Sequence, residues 1–335
     1  MKKQILILAL LLPLLAGCTA KQPEPLPCTP GEAQRLVVYT SHKEEVYTPI
    51  IREFEERTGI WVDVVSGGTN ELLQRIQQEA DAPKADVMFG GGVESLESYQ
   101  DCFSPYICRE AAGISEQFQA ESGCWTPFSA LPVVLVYNTK LVAPESLTSW
   151  KDLESPAFRG KIAFADPQIS GSSYTALVTR LQTGGEMEDS LTRLCAALDG
   201  KQLDSSGAVL TAVADGSALV GITLEETALQ HIAAGEDIAL VYPSDGTSCV
   251  PDGSALVKGA PHGDNARLFL DFTVSTDVQS MVGQRFCRRT VRADIPADPS
   301  LPPLSTLNMV SYDVEWASQN LSLIHISEPT RQAEI

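Results

Sequence analysis

Five short segments concentrate glycine, hydroxyl-bearing residues, histidine or paired carboxylates: Thr40-Ser41-His42, Gly67-Gly68-Thr69-Asn70, Gly90-Gly91-Gly92, Ser170-Gly171-Ser172-Ser173 and Thr223-Leu224-Glu225-Glu226. Each precedes a stretch whose apolar spacing predicts a helix. The first turn of a helix leaves backbone N–H groups without partners and carries the positive end of the dipole. Glycine lets the backbone approach a bound group and hydroxyls add donors, so such loops suit a phosphate or phosphonate. Singly, each is also ordinary turn and capping chemistry. Brought together they would form an anion site from Thr40, Ser41, His42, Gly68, Thr69, Gly91, Gly92, Ser170, Gly171, Ser172 and Ser173. Glu226 has capping-box spacing from Thr223, which leaves Glu225 as the carboxylate free to bind an ammonium or a sugar hydroxyl. His42 could donate to a phosphate or, with Glu71, ligate a metal.

The elements that must position these loops alternate. Leu36–Tyr39 reads as a buried strand, and Ser41 with Glu44 has capping-box spacing for a helix whose apolar stripe is Val46, Ile50, Ile51 and Phe54. Gly59 is expected as its left-handed cap. Ile60–Val65 and Ala85–Phe89 are further strands around a helix N-capped by Thr69 and carrying Leu72, Leu73 and Ile76. Beyond Leu131 the order repeats, with strands at Val133–Tyr137, Lys161–Phe164, Ala218–Ile222 and Ile238–Tyr242, and a helix opened by Gly171-Ser172-Ser173. Alternation of this kind predicts parallel sheets flanked by helices. The expected architecture is two α/β lobes, 35–130 plus 252–290 and 131–251 plus 291–320, with a ligand cleft between them. Hinge strands are expected near Leu131–Val136 and Gly253–Val257.

The amino terminus addresses the compartment. Lys2 and Lys3 precede an apolar run over Ile5–Leu15 that is too short for a permanent span and reads as a secretion signal, residues 1–17. It ends in Leu15-Ala16-Gly17-Cys18, the form of a bacterial lipobox, so Cys18 is the expected lipidation site. Residues 18–34 are rich in Pro, Gln and Glu and form the expected tether. These features predict an extracytoplasmic protein that meets the membrane through its lipid alone. The formal charge is −19, and loss of Lys2 and Lys3 takes it to −21, which argues against nucleic acid as a partner. Of eight cysteines, seven remain after Cys18; some should form disulfides outside the cytoplasm, with Cys102 and Cys108 nearest in sequence. Residues 321–335, LSLIHISEPTRQAEI, resemble the translation of a transposase sequencing adapter, and no function is read from them.

The segments LVVYTSHKEEVYTPIIREFEERTGIWVDVV, ADVMFGGG, LPVVLVYNTKLV, SWKDLESPAFRGKIAFADPQISGSSYTAL and YPSDGTSCVPDGSALVKGA, in this order between Leu36 and Met281, resemble the ferric-ion, aminoethylphosphonate and hexose-phosphate branch of ABC importer binding proteins. The resemblance implies a type II periplasmic binding fold, a small anionic organic ligand, and a membrane permease and ATPase as partners. A monomer without a cofactor is expected. Ferric members of the family commonly use adjacent tyrosines; this chain has no Tyr-Tyr dipeptide and carries Glu225 and Glu226 in the corresponding region, so iron is the alternative ligand. A second alternative is a ligand sensor for a membrane kinase. The chain lacks GxSxG, HExxH and Walker motifs, which argues against an enzyme.

Overall fold

A computed structural model describes residues 30–321. The signal segment, Cys18, Cys28, most of the tether and residues 322–335 lie outside the described residues.

The chain runs β1 (Arg35–Thr40), α1 (Glu44–Thr58), β2 (Trp61–Ser66), α2 (Thr69–Gln78), β3 (Val87–Gly92) and α3 (Val93–Ser98), then reaches the long strand β4 (Thr126–Asn138). Next come β5 (Ile162–Ala163), α4 (Gly171–Gln182), α5 (Met187–Leu198), α6 (Ser206–Ala214), β6 (Val220–Leu224), α7 (Glu225–Ala233) and β7 (Ile238–Val241). The chain returns through β8 (Cys249–Leu256), α8 (Gly263–Thr273), α9 (Thr276–Phe286), β9 (Arg289–Thr290) and α10 (Val314–Gln319).

The strand order is β2-β1-β3-β8-β4-β6-β5, with β7 and β9 also paired to β4. The β1–β2, β1–β3 and β5–β6 pairs are parallel as expected, but β8 and β4 pair antiparallel with all their neighbours, so the sheet is mixed. Two hydrophobic walls follow. On the first, Leu36, Val38, Ile50, Phe54, Val87, Phe89 and Phe269 pack together. On the second, β4 supplies both faces by its twofold alternation: Val133 and Leu135 join Trp150, Phe164 and Leu177, while Val134 and Val136 join Val209, Leu210 and Ala228.

All thirteen residues of β4 are buried, because the strand passes from one wall into the other. Thr126–Pro132 pairs with β8, and from Val133 onward the partners are β6 and β7. That switch falls inside the expected hinge at Leu131–Val136. On the returning strand it falls at Ser248 and Cys249, ahead of Gly253–Val257, since β8 lies wholly beside β3 and the first half of β4. The segment after residue 290 touches both walls: Val291 packs with Ile114 and Val274, whereas Met309 bridges to Thr247.

Gly59 caps α1 in the left-handed region, its N–H donating to the Glu55 carbonyl. Neither expected capping box forms. Helix α1 starts at Glu44 after Lys43, because Thr40 Oγ1 accepts the His42 N–H at 3.1 Å and donates to the Phe89 carbonyl at 2.8 Å, shaping the turn without the Ser41 hydroxyl. Helix α7 starts at Glu225 after Leu224, so Thr223 is one residue too early to cap it. Thr69 is the first residue of α2 rather than its cap, which is Gly68.

Candidate functional site

The loops at the strand ends meet at a cavity of about 380 Å3 between the walls. From the first wall come Ser41, His42, Lys43, Gly68, Thr69, Gly91 and Gly92; from the second come Ile169 to Ser172, Thr175, Asp204 to Ser206, Leu224, Glu226 and Thr227. Leu131, Val250 to Asp252 and Arg288 form the floor. Helices α2, α4, α6 and α7 all begin among the residues that line this cavity, and a helix start leaves first-turn N–H groups without intrahelical partners. Ser170 caps α4 by accepting the Ser173 N–H, and its hydroxyl lies 3.0 Å from that of Ser172. Ser205 caps α6 by accepting the Ala208 N–H at 3.2 Å. Gly91 sits at a φ of 109°, and a Cβ there would stand 2.8 Å from the Thr69 methyl, so a side chain is excluded by both strain and space.

Nine expected residues therefore line one cavity: Ser41, His42, Gly68, Thr69, Gly91, Gly92, Ser170, Gly171 and Ser172. Thr40 stands behind them, its hydroxyl committed to the turn, and Ser173 is buried, its N–H given to the Ser170 cap. Glu71 is exposed and does not line the cavity, so it does not join His42 there. Among the described residues no cluster of three or more His, Cys, Asp or Glu is arranged to hold a metal ion. The two glutamates exchange roles. Glu225 is withdrawn from the cavity: Arg289 grips it at 2.8 Å through both Nε and Nη2, and Tyr242 donates to it at 2.6 Å. Glu226 lines the cavity instead, held by Arg288 at 3.1 Å and by the Thr227 hydroxyl at 2.7 Å.

Arg288 is the main site residue that the sequence does not announce. Cys287 ends α9 in the left-handed region at a φ of 55°, which turns the next side chain into the floor. There Arg288 donates to Asp252 at 2.6 Å and to the Ser129 hydroxyl at 3.0 Å, while its buried Nε has no partner among the described residues. Burial pushes the Asp252 carboxyl above its usual range, against the pull of Arg288 and Ser129. His42 lies against Phe89 and Phe128, with ring centroids 4.4 and 5.0 Å away. Burial, reinforced by the Arg288 charge, pushes its pKa well below the ordinary value, so it is a neutral imidazole whose Nε2 is unpaired among the described residues. The Ser205-Ser206 corner was also missed, although a serine pair ahead of the apolar run Ala208–Ala214 is a legible helix start. The site offers converging N–H and hydroxyl donors on one side and arginine-held carboxylates on the other.

Residues 36–285 match the family of bacterial extracellular solute-binding proteins, and the chain belongs to that family. Among relatives, the iron uptake protein A1 of Synechocystis is 26% identical over 86% of this chain and 84% of its own length. A putative 2-aminoethylphosphonate-binding periplasmic protein of Salmonella typhi is 23% identical over 73% of this chain and 74% of its own. The periplasmic binding protein AfuA of Actinobacillus pleuropneumoniae, solved with fructose 6-phosphate, superposes with a TM-score of 0.80 at 25% identity, covering 87% of this chain and 97% of that one. The fold is that of the type II periplasmic binding proteins, and the chain is an extracytoplasmic binding protein.

Proposed function

We propose that this chain captures a small phosphonate or phosphate ester for an ABC importer. The observation that carries this is the convergence of four helix starts, with the hydroxyls of Ser41, Thr69, Ser172 and Ser206, on one cavity. The volume suits a small organic ligand. Charge-assisted bonds from such donors to a phosphoryl group are the strong class of hydrogen bond. Glu226 and Asp204 sit at the same cavity and suit hydroxyls or an ammonium at the ligand's other end. In this reading the walls belong to two lobes, 35–130 plus 252–290 and 131–251 plus 291–320, that close on the ligand. A permease and an ATPase would receive it, and Cys18 would hold the protein at the membrane by its lipid.

Calorimetry of the mature chain against 2-aminoethylphosphonate, fructose 6-phosphate, inorganic phosphate and ferric citrate tests the ligand class. A phosphonate or phosphate ester should bind with a dissociation constant that chelators leave unchanged. Chelator-sensitive binding of ferric citrate alone would establish the iron reading that the Synechocystis relative's name suggests. Cys18→Ala should move the protein from the membrane to the soluble fraction; an unchanged distribution would remove the anchor.

A further inference from the structure

Glu94 lies just behind the glycine turn that ends β3 and is fully buried. Its Oε1 accepts a hydrogen bond from the Thr175 hydroxyl, which also lies 3.2 Å from the Gly171 carbonyl in the first turn of α4. This side-chain bond runs from one wall to the other, as does the bond from Asn70 Nδ2 to the Gln168 carbonyl at 3.1 Å. Glu94 follows Gly91 and Gly92 of the first wall, and Thr175 stands beside Ser172 on the second, at the cavity itself. A third segment closes over the junction. Tyr312 faces the same carboxyl, α10 packs against α3, and the Tyr174 hydroxyl of α4 donates to the Ala317 carbonyl at 2.6 Å.

We propose that Glu94 is an interlobe latch, a positioning residue that reaches across to Thr175 and holds the ligand-facing turn of α4 when the cleft closes. This rests on the closing of two lobes proposed above. Glu94 does not line the cavity, so it acts on the ligand only through α4.

The latch is sensitive to protons. The polar groups against the carboxyl are Thr175, Tyr312 and the more distant Tyr174, none of them a cation, and Oε2 has no hydrogen-bond partner among the described residues. Charged groups on the elements packed around α3 and α4 are engaged elsewhere or exposed: Arg75 with Glu79, Asp252 with Arg288, Arg180 with Glu154, Glu315 with Gln319, and Glu71 at the surface. Burial therefore raises the carboxyl's pKa, with the Thr175 and Tyr312 hydroxyls opposing. An open cleft would wet the group and return it to its usual range. The closed form then binds the proton more tightly, so closure is fully favoured below the ordinary carboxylate range. The advantage is lost as pH rises through the raised value.

The test measures the affinity of 2-aminoethylphosphonate and of fructose 6-phosphate from about pH 4 to pH 9, spanning the carboxylate and histidine ranges. The variants are Glu94→Gln, Thr175→Val and Thr175→Ser. The amide introduced by Glu94→Gln would still accept from Thr175 but cannot ionise, and the ratio of wild-type to Glu94→Gln affinity cancels the probe's own titration. That ratio should fall as pH rises. Thr175→Val should weaken binding about twofold to tenfold, the range of one hydrogen bond, and Thr175→Ser should restore it. A ratio independent of pH overturns the latch even if binding is tight. If neither probe binds, the anion reading fails by itself. The latch is then judged by solution scattering of the ligand-free chains, where Thr175→Val must enlarge the radius of gyration over wild type; an unchanged radius overturns it.

Discussion

Two adjacent arginines grip two adjacent glutamates in this protein, one pair lining the cavity and the other standing away from it. Arg288 holds Glu226 and Asp252 in the cavity floor. Arg289, in β9 and paired to Ala130 of β4, holds Glu225 beside Tyr242 and donates to the Pro302 carbonyl at 2.9 Å, away from the cavity. A one-residue step along a strand reverses the side chain's face, and one along a helix turns it by about 100°. The four residues are chemically matched, so residue type cannot say which pair meets the ligand. The outward pair has bidentate geometry and belongs to the fold. The inward arginine is shared by two acids, keeps an Nε unpaired among the described residues and lines the candidate site.

The largest effect should come from Arg288→Met, which leaves Asp252 and Glu226 buried without their cation. Breaking such a buried network costs about 3–5 kcal/mol, read as a loss of stability in denaturant unfolding, and binding of the phosphonate or phosphate ester should vanish. Acidification should partly rescue the fold. The Asp252 carboxyl already sits above its usual range, so its ionisation opposes folding as pH rises through that value, and protonation removes the unpaired charge. A variant no less stable than wild type would break the comparison at its stronger end.

Glu225→Gln should come next, costing about 1.5–3 kcal/mol of stability through the weakened Arg289 contact while leaving ligand affinity unchanged. Glu226→Gln should do the reverse and weaken ligands bearing an ammonium or hydroxyls. Calorimetry on both variants separates inward from outward: a loss of affinity in Glu225→Gln alone would invert the assignment. The smallest effect is expected from Ser172→Ala, which removes one hydroxyl donor from the cavity and should weaken phosphate-ester binding about tenfold. Unaltered affinity there would place the anionic end of the ligand elsewhere.

Much of the framework was legible because its signals are local. The apolar stripe Val46, Ile50, Ile51 and Phe54 and the glycine after Thr58 give α1, and Ser170 to Ser173 announce α4 by ordinary capping chemistry. The antiparallel partners were not legible. Val87 pairs with Leu256 although most of the second wall lies between them in sequence, and no short-range pattern encodes that distance. Capping-box spacing misled at Ser41 and at Thr223, where tertiary bonds to Phe89 and Arg288 overrode local preference. Arg288 could not be read because its direction depends on Cys287, a non-glycine in the left-handed region. Glu225 and Glu226 were distinguishable only once β9 and its arginines were in place.

The passage of β4 from wall to wall also sets an order of assembly. Residues 139–248, between β4 and β8, bring β5, β6, β7 and their helices to the second wall, whereas β3 finds its second neighbour only when Cys249–Leu256 has been delivered. In an exported chain that emerges amino end first, β1, β2 and β3 wait with an open edge while the later stretch condenses. The entropy of closing so long an excursion grows only logarithmically with its length, so the delay is tolerable in free energy. Its cost falls on time, since an unpaired strand edge is the part of a nascent chain that adheres to its neighbours.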